Sequence, residues 1–161
     1  MEQYRYRLVR NGEYCPFTIF VHMKKFLGEY KPNITEGSRI ALPKRMREQI
    51  DGSAVVLTRG FEKCIYIYDV KDWQEQAEKY IESSKVDAKQ AKIRDLERYI
   101  YASAQEVSID AQGRLVVPAG LLEYAGIENS TAVIGVGNRI EVWDNKIWSE
   151  HSEKISQELS Q

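Results

Sequence analysis

The sequence predicts an α+β protein in which two equivalent β-rich halves are joined by a helical connector. Three observations support this fold class. The chain matches itself when it is shifted by 75 residues, each copy alternates short apolar strands with a short helix, and a stretch of helical periodicity separates the copies. These features are typical of a small α+β barrel with internal pseudo-two-fold symmetry. With 161 residues, the chain forms one domain or at most two small ones and can bury a real core.

The repeat keeps its register over most of the chain. A two-residue insertion near Gly126 is balanced by a deletion before Val136, and a register restored after compensating gaps is not expected by chance. Identical pairs at the 75-residue shift include Arg39 with Arg114, Pro43 with Pro118, Glu48 with Glu123, Asp69 with Asp144 and Trp73 with Trp148. The two halves are therefore predicted to share one fold.

Each copy opens with a short strand and a tight turn, which spans 35–38 in the first copy and 110–113 in the second. Asp110 can accept a hydrogen bond from the backbone two residues on, and Gly113 suits a positive φ angle. The second turn therefore has the residues that a tight reversal requires.

A three-residue strand and a helix follow each turn. Pro43 and Pro118 predict the helix starts, because proline loses no hydrogen bond at the first helical position. The first helix carries Met46 and Ile50 at i, i+4 spacing, and Gly126 ends the second. The predicted strands are Ile40–Leu42 and Leu115–Val117 after the turns, and then Ala54–Thr58 with Cys64–Tyr68 and Thr131–Val136 with Arg139–Trp143.

Helices connect and close the two copies. Asp69 and Asp144 stand at N-cap positions. The predicted helices run from Val70 to about Ile81, from Asp87 to Tyr101 and from Asn145 to Leu159. The predicted organisation is an N-terminal extension at 1–22, a first repeat at 27–73, a helical connector at 74–102, a second repeat at 103–148, and a C-terminal helix and tail at 149–161.

Several function classes find little support in the residues. Cys15 and Cys64 lie far apart, and His22 and His151 stand near opposite ends without the carboxylates or nucleophiles that catalysis or metal binding requires. The sequence therefore predicts no enzyme, no cofactor and no metal site. No stretch approaches the ~18 apolar residues of a membrane span, and no signal peptide is recognisable, so a cytoplasmic protein is expected.

Charge is distributed unequally along the chain. Residues 24–48 hold seven basic and three acidic residues, a net charge of +4, whereas residues 104–161 hold four basic and nine acidic residues, a net charge of −5. This asymmetry favours an anionic partner on one side of the protein. An unequal but merely solvated surface would show the same pattern.

The quoted residues resemble the MraZ family of bacterial DNA-binding regulators, whose chains hold two AbrB-like (SpoVT/AbrB) halves. The resemblance runs from about Met23 to His151. It implies a double swapped-hairpin β-barrel and a homo-oligomeric ring. It also implies sequence-specific binding of double-stranded DNA at short G-rich direct repeats upstream of the protein's own division and cell-wall operon, and hence a nucleoid-associated location. Its most specific stretches are Asp110-Ala-Gln-Gly-Arg-Leu-Val-Val-Pro118, Tyr124-Ala-Gly-Ile127 and Val133-Ile-Gly-Val-Gly-Asn-Arg-Ile-Glu-Val-Trp-Asp144.

The first turn departs from the family's D-x-x-x-R signature, which the second copy keeps from Asp110 to Arg114. Thr35 replaces the aspartate, and Ser38 replaces the glycine before Arg39. Because a threonine hydroxyl can also hydrogen-bond the backbone, although more weakly, the turn is expected to survive with altered geometry.

The candidate DNA-binding residues fall into two groups. Arg39 and Arg114, which project from the turns, are predicted to contact guanine edges in the major groove. The basic residues Lys44, Arg45 and Arg47 are predicted to contact phosphates at a helix N-terminus, and Lys31 is a further candidate DNA-binding residue. In the alternative, the arginines only hold their turns, as Arg114 would by pairing with Asp110, and the other basic residues form a solvated face.

The aromatic residues and the glycines near 135–138 are predicted to have structural roles and not to bind a ligand. The residues of 135–138 predict a hairpin turn rather than a phosphate-binding loop. Cys64 is expected to be buried. Packing is favoured over base stacking for Tyr66, Tyr68, Trp73, Trp143 and Trp148.

The rival function is that of an antitoxin-like interaction module, which would use the same AbrB-like fold to cap another protein. Such proteins usually carry one half per chain and a disordered tail, whereas here two halves fill the chain. An enzyme is the weakest of the three hypotheses, because no set of nucleophile, base and oxyanion donor is visible.

Overall fold

The computed structural model describes residues 9–10, 13–14, 26–85 and 90–160. Cys15, His22 and Met23 lie outside these residues, as does most of the predicted extension at 1–22. The described strands are β1 Val9–Arg10, β2 Glu13–Tyr14, β3 Glu29–Tyr30, β4 Arg39–Ala41, β5 Ala54–Arg59, β6 Ile65–Asp69, β7 Gln105–Ser108, β8 Arg114–Val116, β9 Thr131–Gly135 and β10 Ile140–Asp144. The described helices are α1 Lys44–Arg47, α2 Val70–Ser84, α3 Gln90–Ser103, α4 Ala119–Ala125 and α5 Asn145–Leu159.

A six-stranded antiparallel sheet contains strands of both copies in the order β3-β9-β10-β6-β5-β7. Each copy contributes its closing hairpin, β5–β6 from the first and β9–β10 from the second. The two hairpins meet where β6 pairs with β10, with Ile67 opposite Ile140 and Tyr66 opposite Glu141. The fold is therefore α+β with two equivalent halves, and the halves share one sheet.

A second sheet, a two-stranded ribbon of β4 and β8, joins the copies again. Ile40 lies opposite Leu115, and both side chains are buried. Backbone hydrogen bonds between the two copies continue beyond the ends of these strands: Leu42 N donates to Gly113 O at 3.0 Å, and Val117 N donates to Ser38 O at 2.9 Å. Each tight turn is thus held by the other copy.

The main hydrophobic core is built from both copies. It includes Ile40 and Leu57 of the first copy, and Leu115, Val133 and Ile140 of the second, all almost fully buried. Burying an aliphatic side chain of this size contributes about 1.5–3 kcal/mol. The two repeats are therefore sequence units that share a single core.

The first repeat helix is shorter than predicted. α1 ends at Arg47 and does not extend to Ile50, whose backbone N donates to Arg47 O in a tighter turn, at 3.1 Å. The following loop is held by the second copy, because Ile109 N donates to Ser53 O at 2.7 Å. The Asp51 N–H, which a longer helix would direct to Arg47 O, instead donates to the Asp69 carboxylate at 2.6 Å, so that the helix ends before this point.

Other boundaries differ by one to three residues. The strands after the turns, β4 and β8, begin and end one residue earlier than predicted. α2 continues to Ser84 beyond the predicted end near Ile81, because the hydroxyls of Ser83 and Ser84 bond back to Tyr80 O at 3.0 and 2.9 Å instead of breaking the helix. α3 runs to Ser103, two residues beyond its predicted end; its predicted first residues, 87–89, lie outside the described residues.

The predicted helix caps are present in the structure. The Asp69 carboxylate accepts from Lys71 N at 3.0 Å, and that of Asp144 accepts from Lys146 N at 2.9 Å, as N-caps do. α4 ends at Gly126, which has φ +65°. α5 covers its predicted span, Asn145–Leu159.

The aromatic residues pack, as predicted. Tyr66, Tyr68 and Trp143 are buried, and Trp73 and Trp148 lie partly buried against the same cluster. Cys64 is buried beside them, and burial raises the pKa of its thiol. Residues 135–138 form the predicted hairpin turn between β9 and β10. Among the described helices, none combines the length and apolar character needed to cross a membrane.

Candidate nucleic-acid interface

The outer face of the β4–β8 ribbon carries both turn arginines. Successive side chains of a strand point to opposite faces, so that while Ile40 and Leu115 point into the core, Arg39 and Arg114 lie on the other face. Val116, directly opposite Arg39, is 47% exposed there. The ribbon therefore offers solvent a narrow face with an arginine from each copy.

The first turn holds its arginine through neutral groups. Thr35 N donates to Arg39 O at 2.8 Å, and the Thr35 hydroxyl donates to the same oxygen at 3.2 Å. Ser38 adopts φ +57°, a left-handed conformation that a serine rarely takes. The Arg39 guanidinium folds back over Gly37 and donates to Glu36 O at 3.0 Å. Its full positive charge therefore remains without a carboxylate partner in the turn.

The second turn holds its arginine through a carboxylate. Asp110 accepts from the backbone N of Gln112 and of Arg114, both at 2.9 Å. Its other oxygen accepts from Arg114 Nε at 2.9 Å and lies 2.9 Å from Nη2. The Arg114 backbone hydrogen bond, followed by the Arg114 side chain and the Gln112 backbone, lowers the pKa of Asp110 below its ordinary value. The Asp110–Arg114 pairing that the sequence left open is therefore present.

The structure brings the two arginines together although they are 75 positions apart. They line one open depression on the ribbon, together with Thr35, Glu36 and Gly37. A planar guanidinium presents several N–H donors in a fixed fork, which suits bases and phosphates. The depression thus combines two such groups with backbone from the first turn.

The other four predicted DNA-binding residues differ in their surroundings. Lys44 is exposed with a weak 3.8 Å contact to Glu48, and Arg45 is also exposed. Arg47 is half-buried and lies against Gly113 of the second turn. Lys31 follows β3 at the edge of the six-stranded sheet, 3.8 Å from Glu29.

The predicted helix N-terminus in this region is reduced to a single turn. α1 contains only four residues, and the backbone N of Met46 and Arg47 already donates to Pro43 O at 2.9 and 3.0 Å. A helix dipole needs several aligned peptide units. Attraction of an anion to this segment therefore depends on the side chains, Lys44 and Arg45 above all.

Comparison with known proteins identifies the family. The model of the family described as "MraZ protein, putative antitoxin-like" matches residues 25–96 and 100–161, one region for each copy. The chain belongs to the MraZ family. The resemblance identified from the sequence is thus confirmed, including its two tandem regions.

Many curated MraZ relatives cover most of the chain. "Transcriptional regulator MraZ" of Syntrophomonas wolfei is 39% identical over 128 residues, which are 80% of this chain and 87% of the relative. The protein of the same name from Micrococcus luteus is 40% identical over 77% of this chain and 84% of its own. That of Clostridium tetani is 34% identical over 84% of this chain and 97% of its own.

Proposed function

We propose that this chain is a DNA-binding transcriptional regulator. The observation that carries the proposal is the solvent-facing ribbon with Arg39 and Arg114 on one face. The major groove of B-DNA admits a two-stranded β-ribbon, and an arginine can donate two hydrogen bonds to O6 and N7 of guanine. The relatives named transcriptional regulator MraZ support this function.

The two turns and the α1 segment contact different parts of the DNA. Arg39 and Arg114 contact guanines, whereas Lys44 and Arg45 contact phosphates beside the groove. Phosphate contacts supply most non-specific affinity, and base contacts supply the sequence preference. A site that contains guanines is therefore the expected target, and its finer form is a set of short G-rich direct repeats upstream of the protein's own division and cell-wall operon, bound at the nucleoid.

The test is a mobility-shift titration with the DNA upstream of the protein's own gene and with random DNA of equal length, at two salt concentrations. We expect tighter binding to the upstream DNA, weakening for both at higher salt. Equal binding to both DNAs would contradict the sequence-specific function.

A second function has one supporting observation, the antitoxin-like description of the family. An antitoxin-like module would bind a protein partner encoded beside its gene and would not need the basic side chains. Co-expression of the neighbouring products followed by purification distinguishes the two: a stoichiometric protein complex without preference for the upstream DNA would favour this alternative.

Lys44→Ala is expected to weaken specific and random DNA binding alike. Because Lys44 is exposed and its ammonium lies 3.8 Å from the Glu48 carboxylate, a weak contact, its removal loses one phosphate contact and leaves base contacts in place. The slope of log affinity against log salt should fall by about one. Lys79→Ala is the matched control, since Lys79 is also an exposed lysine with an i, i+4 glutamate partner, Glu75, but lies on α2. A loss confined to the upstream DNA would contradict the phosphate role of Lys44.

We also expect a homo-oligomer, and propose a ring. The basic face of one chain is small, so that several copies would gain affinity on repeated DNA sites through avidity. Light scattering at micromolar concentration, alone and with DNA that carries several sites, measures the assembly. A stable monomer under both conditions would contradict the ring.

A further inference from the structure

We infer that Arg47 of the first copy is a positioning residue for the second copy's turn and fixes the base contact made by Arg114. The inference rests on the proposed DNA-binding function. It replaces the phosphate contact that the sequence alone suggests for Arg47. The supporting observations are its contact with Gly113, the burial of its Nε and the asymmetry between the two copies.

The first observation is the place of the guanidinium. Arg47 Nη1, Cζ and Nε lie so close to the Cα of Gly113 that a Cβ at that glycine would overlap all three atoms. Gly113 also has φ +78°, which L side chains rarely adopt. Glycine is therefore required at 113 both by the backbone conformation and by the space that the Arg47 guanidinium occupies.

The second observation is the burial of this guanidinium. Arg47 Nε is buried without a hydrogen-bond partner, and the residue is only half-exposed. Burying an unsatisfied N–H on a charged group is unfavourable. A residue whose role was to meet phosphates would be better served by an extended, solvated side chain such as that of Lys44. The buried position indicates that packing on the turn is the purpose of this side chain.

The contact of Arg47 with Gly113 also constrains the next residue, Arg114, which is proposed to contact DNA. Leu42, five residues before Arg47, donates its N–H to Gly113 O at 3.0 Å. The first copy thus holds Gly113 at two points, the carbonyl and the Cα. The next residue is Arg114, whose guanidinium is in turn held by Asp110. Two successive constraints therefore fix both the backbone and the side chain of Arg114.

The third observation is that the other half of the pseudo-symmetric pair lacks this guanidinium. Val117 N still donates to Ser38 O at 2.9 Å, which is the equivalent backbone bond. However, the 75-residue shift places Leu122 at the position of Arg47 and Ser38 at the position of Gly113. Arginine and glycine thus occur as a matched pair in one half only. Both turns are held by the equivalent backbone bond, and the second turn has the Arg47 guanidinium in addition.

The test compares wild-type full-length protein with R47K and R47L. Lysine keeps the charge but lacks the planar guanidinium, and leucine is the residue of the equivalent position in the second copy. Hydrogen exchange in the free protein should speed up by about tenfold at 110–114 in both variants and stay unchanged at 35–39. Circular dichroism establishes whether each variant folds. If R47L does not fold, the test is made with R47K alone.

The DNA readout uses the upstream site with each base pair replaced in turn. The position at which Arg114→Ala loses discrimination should lose it to the same degree in R47K and R47L, while the salt slope of R47K matches that of wild type. The inference is overturned if hydrogen exchange at 110–114 is unchanged in the variants. It is also overturned if R47K keeps full base discrimination while R47L loses affinity for all DNA sequences and its salt slope is lower by one, which is the result expected of a phosphate contact. If wild-type protein shows no preference for any site, the proposed function fails, and the exchange measurement still decides whether Arg47 positions the turn.

Discussion

Arg39→Ala is expected to weaken binding to the specific DNA site by about 1–3 kcal/mol and to relax the preference at one guanine. The reason is the state of the guanidinium in the free protein. Within the described part of the chain, the Arg39 guanidinium donates to a neutral carbonyl, Glu36 O, and has no ion pair, so that a guanine can take over this bond without breaking one. Competition titrations with single-base variants of the site measure both the affinity and the preference.

Arg114→Ala is the internal comparison for this prediction. Its guanidinium is shared with Asp110 through Nε and Nη2, which leaves fewer donors for a base. We therefore expect a smaller loss of DNA affinity than for Arg39→Ala, together with a looser second turn or weaker assembly. A variant Arg39→Ala that binds its site like wild type, while Arg114→Ala does not, would reverse the two roles.

Leu115→Ala is expected to lower the free energy of unfolding by about 2–5 kcal/mol, the usual result of truncating a fully buried leucine. Leu115 is 1% exposed and lies opposite the buried Ile40 of the first copy. The cavity would open in the core that the two copies share, so both halves should lose stability in one transition. Urea denaturation monitored by tryptophan fluorescence measures the change.

Val116→Ala provides the matched control on the same strand. Val116 is the next residue, is 47% exposed and lies on the outer face of the ribbon. A surface substitution of this kind usually changes stability by less than about 0.5 kcal/mol. Equal effects of the two variants would mean that the ribbon does not pack on a shared core.

Much of the fold could be predicted because the signals are local and occur twice. Prolines before short helices, aspartates at N-caps and a glycine at φ +65° after α4 each act within one turn of chain. The prolines and the aspartates recur at a shift of 75 residues, which identified the two halves, and the family match confirms the two tandem regions. The length of α1 was predicted wrongly, since the Asp51 N–H, which a longer helix would direct to Arg47 O, bonds to the Asp69 carboxylate 18 residues away.

The candidate site, like the fold, was predictable in part from the sequence and was decided in part by the tertiary structure. The sequence alone placed an arginine after each tight turn and distinguished the turn with aspartate from the turn with threonine, because those residue types determine how a short loop bonds to itself. Only the tertiary structure decided that Arg39 and Arg114 share one face, that Lys31 lies on the other sheet, and that Arg47 packs on Gly113. These are contacts between copies that are distant along the chain, and local periodicity carries no information about which residues the pairing of β4 with β8 brings together.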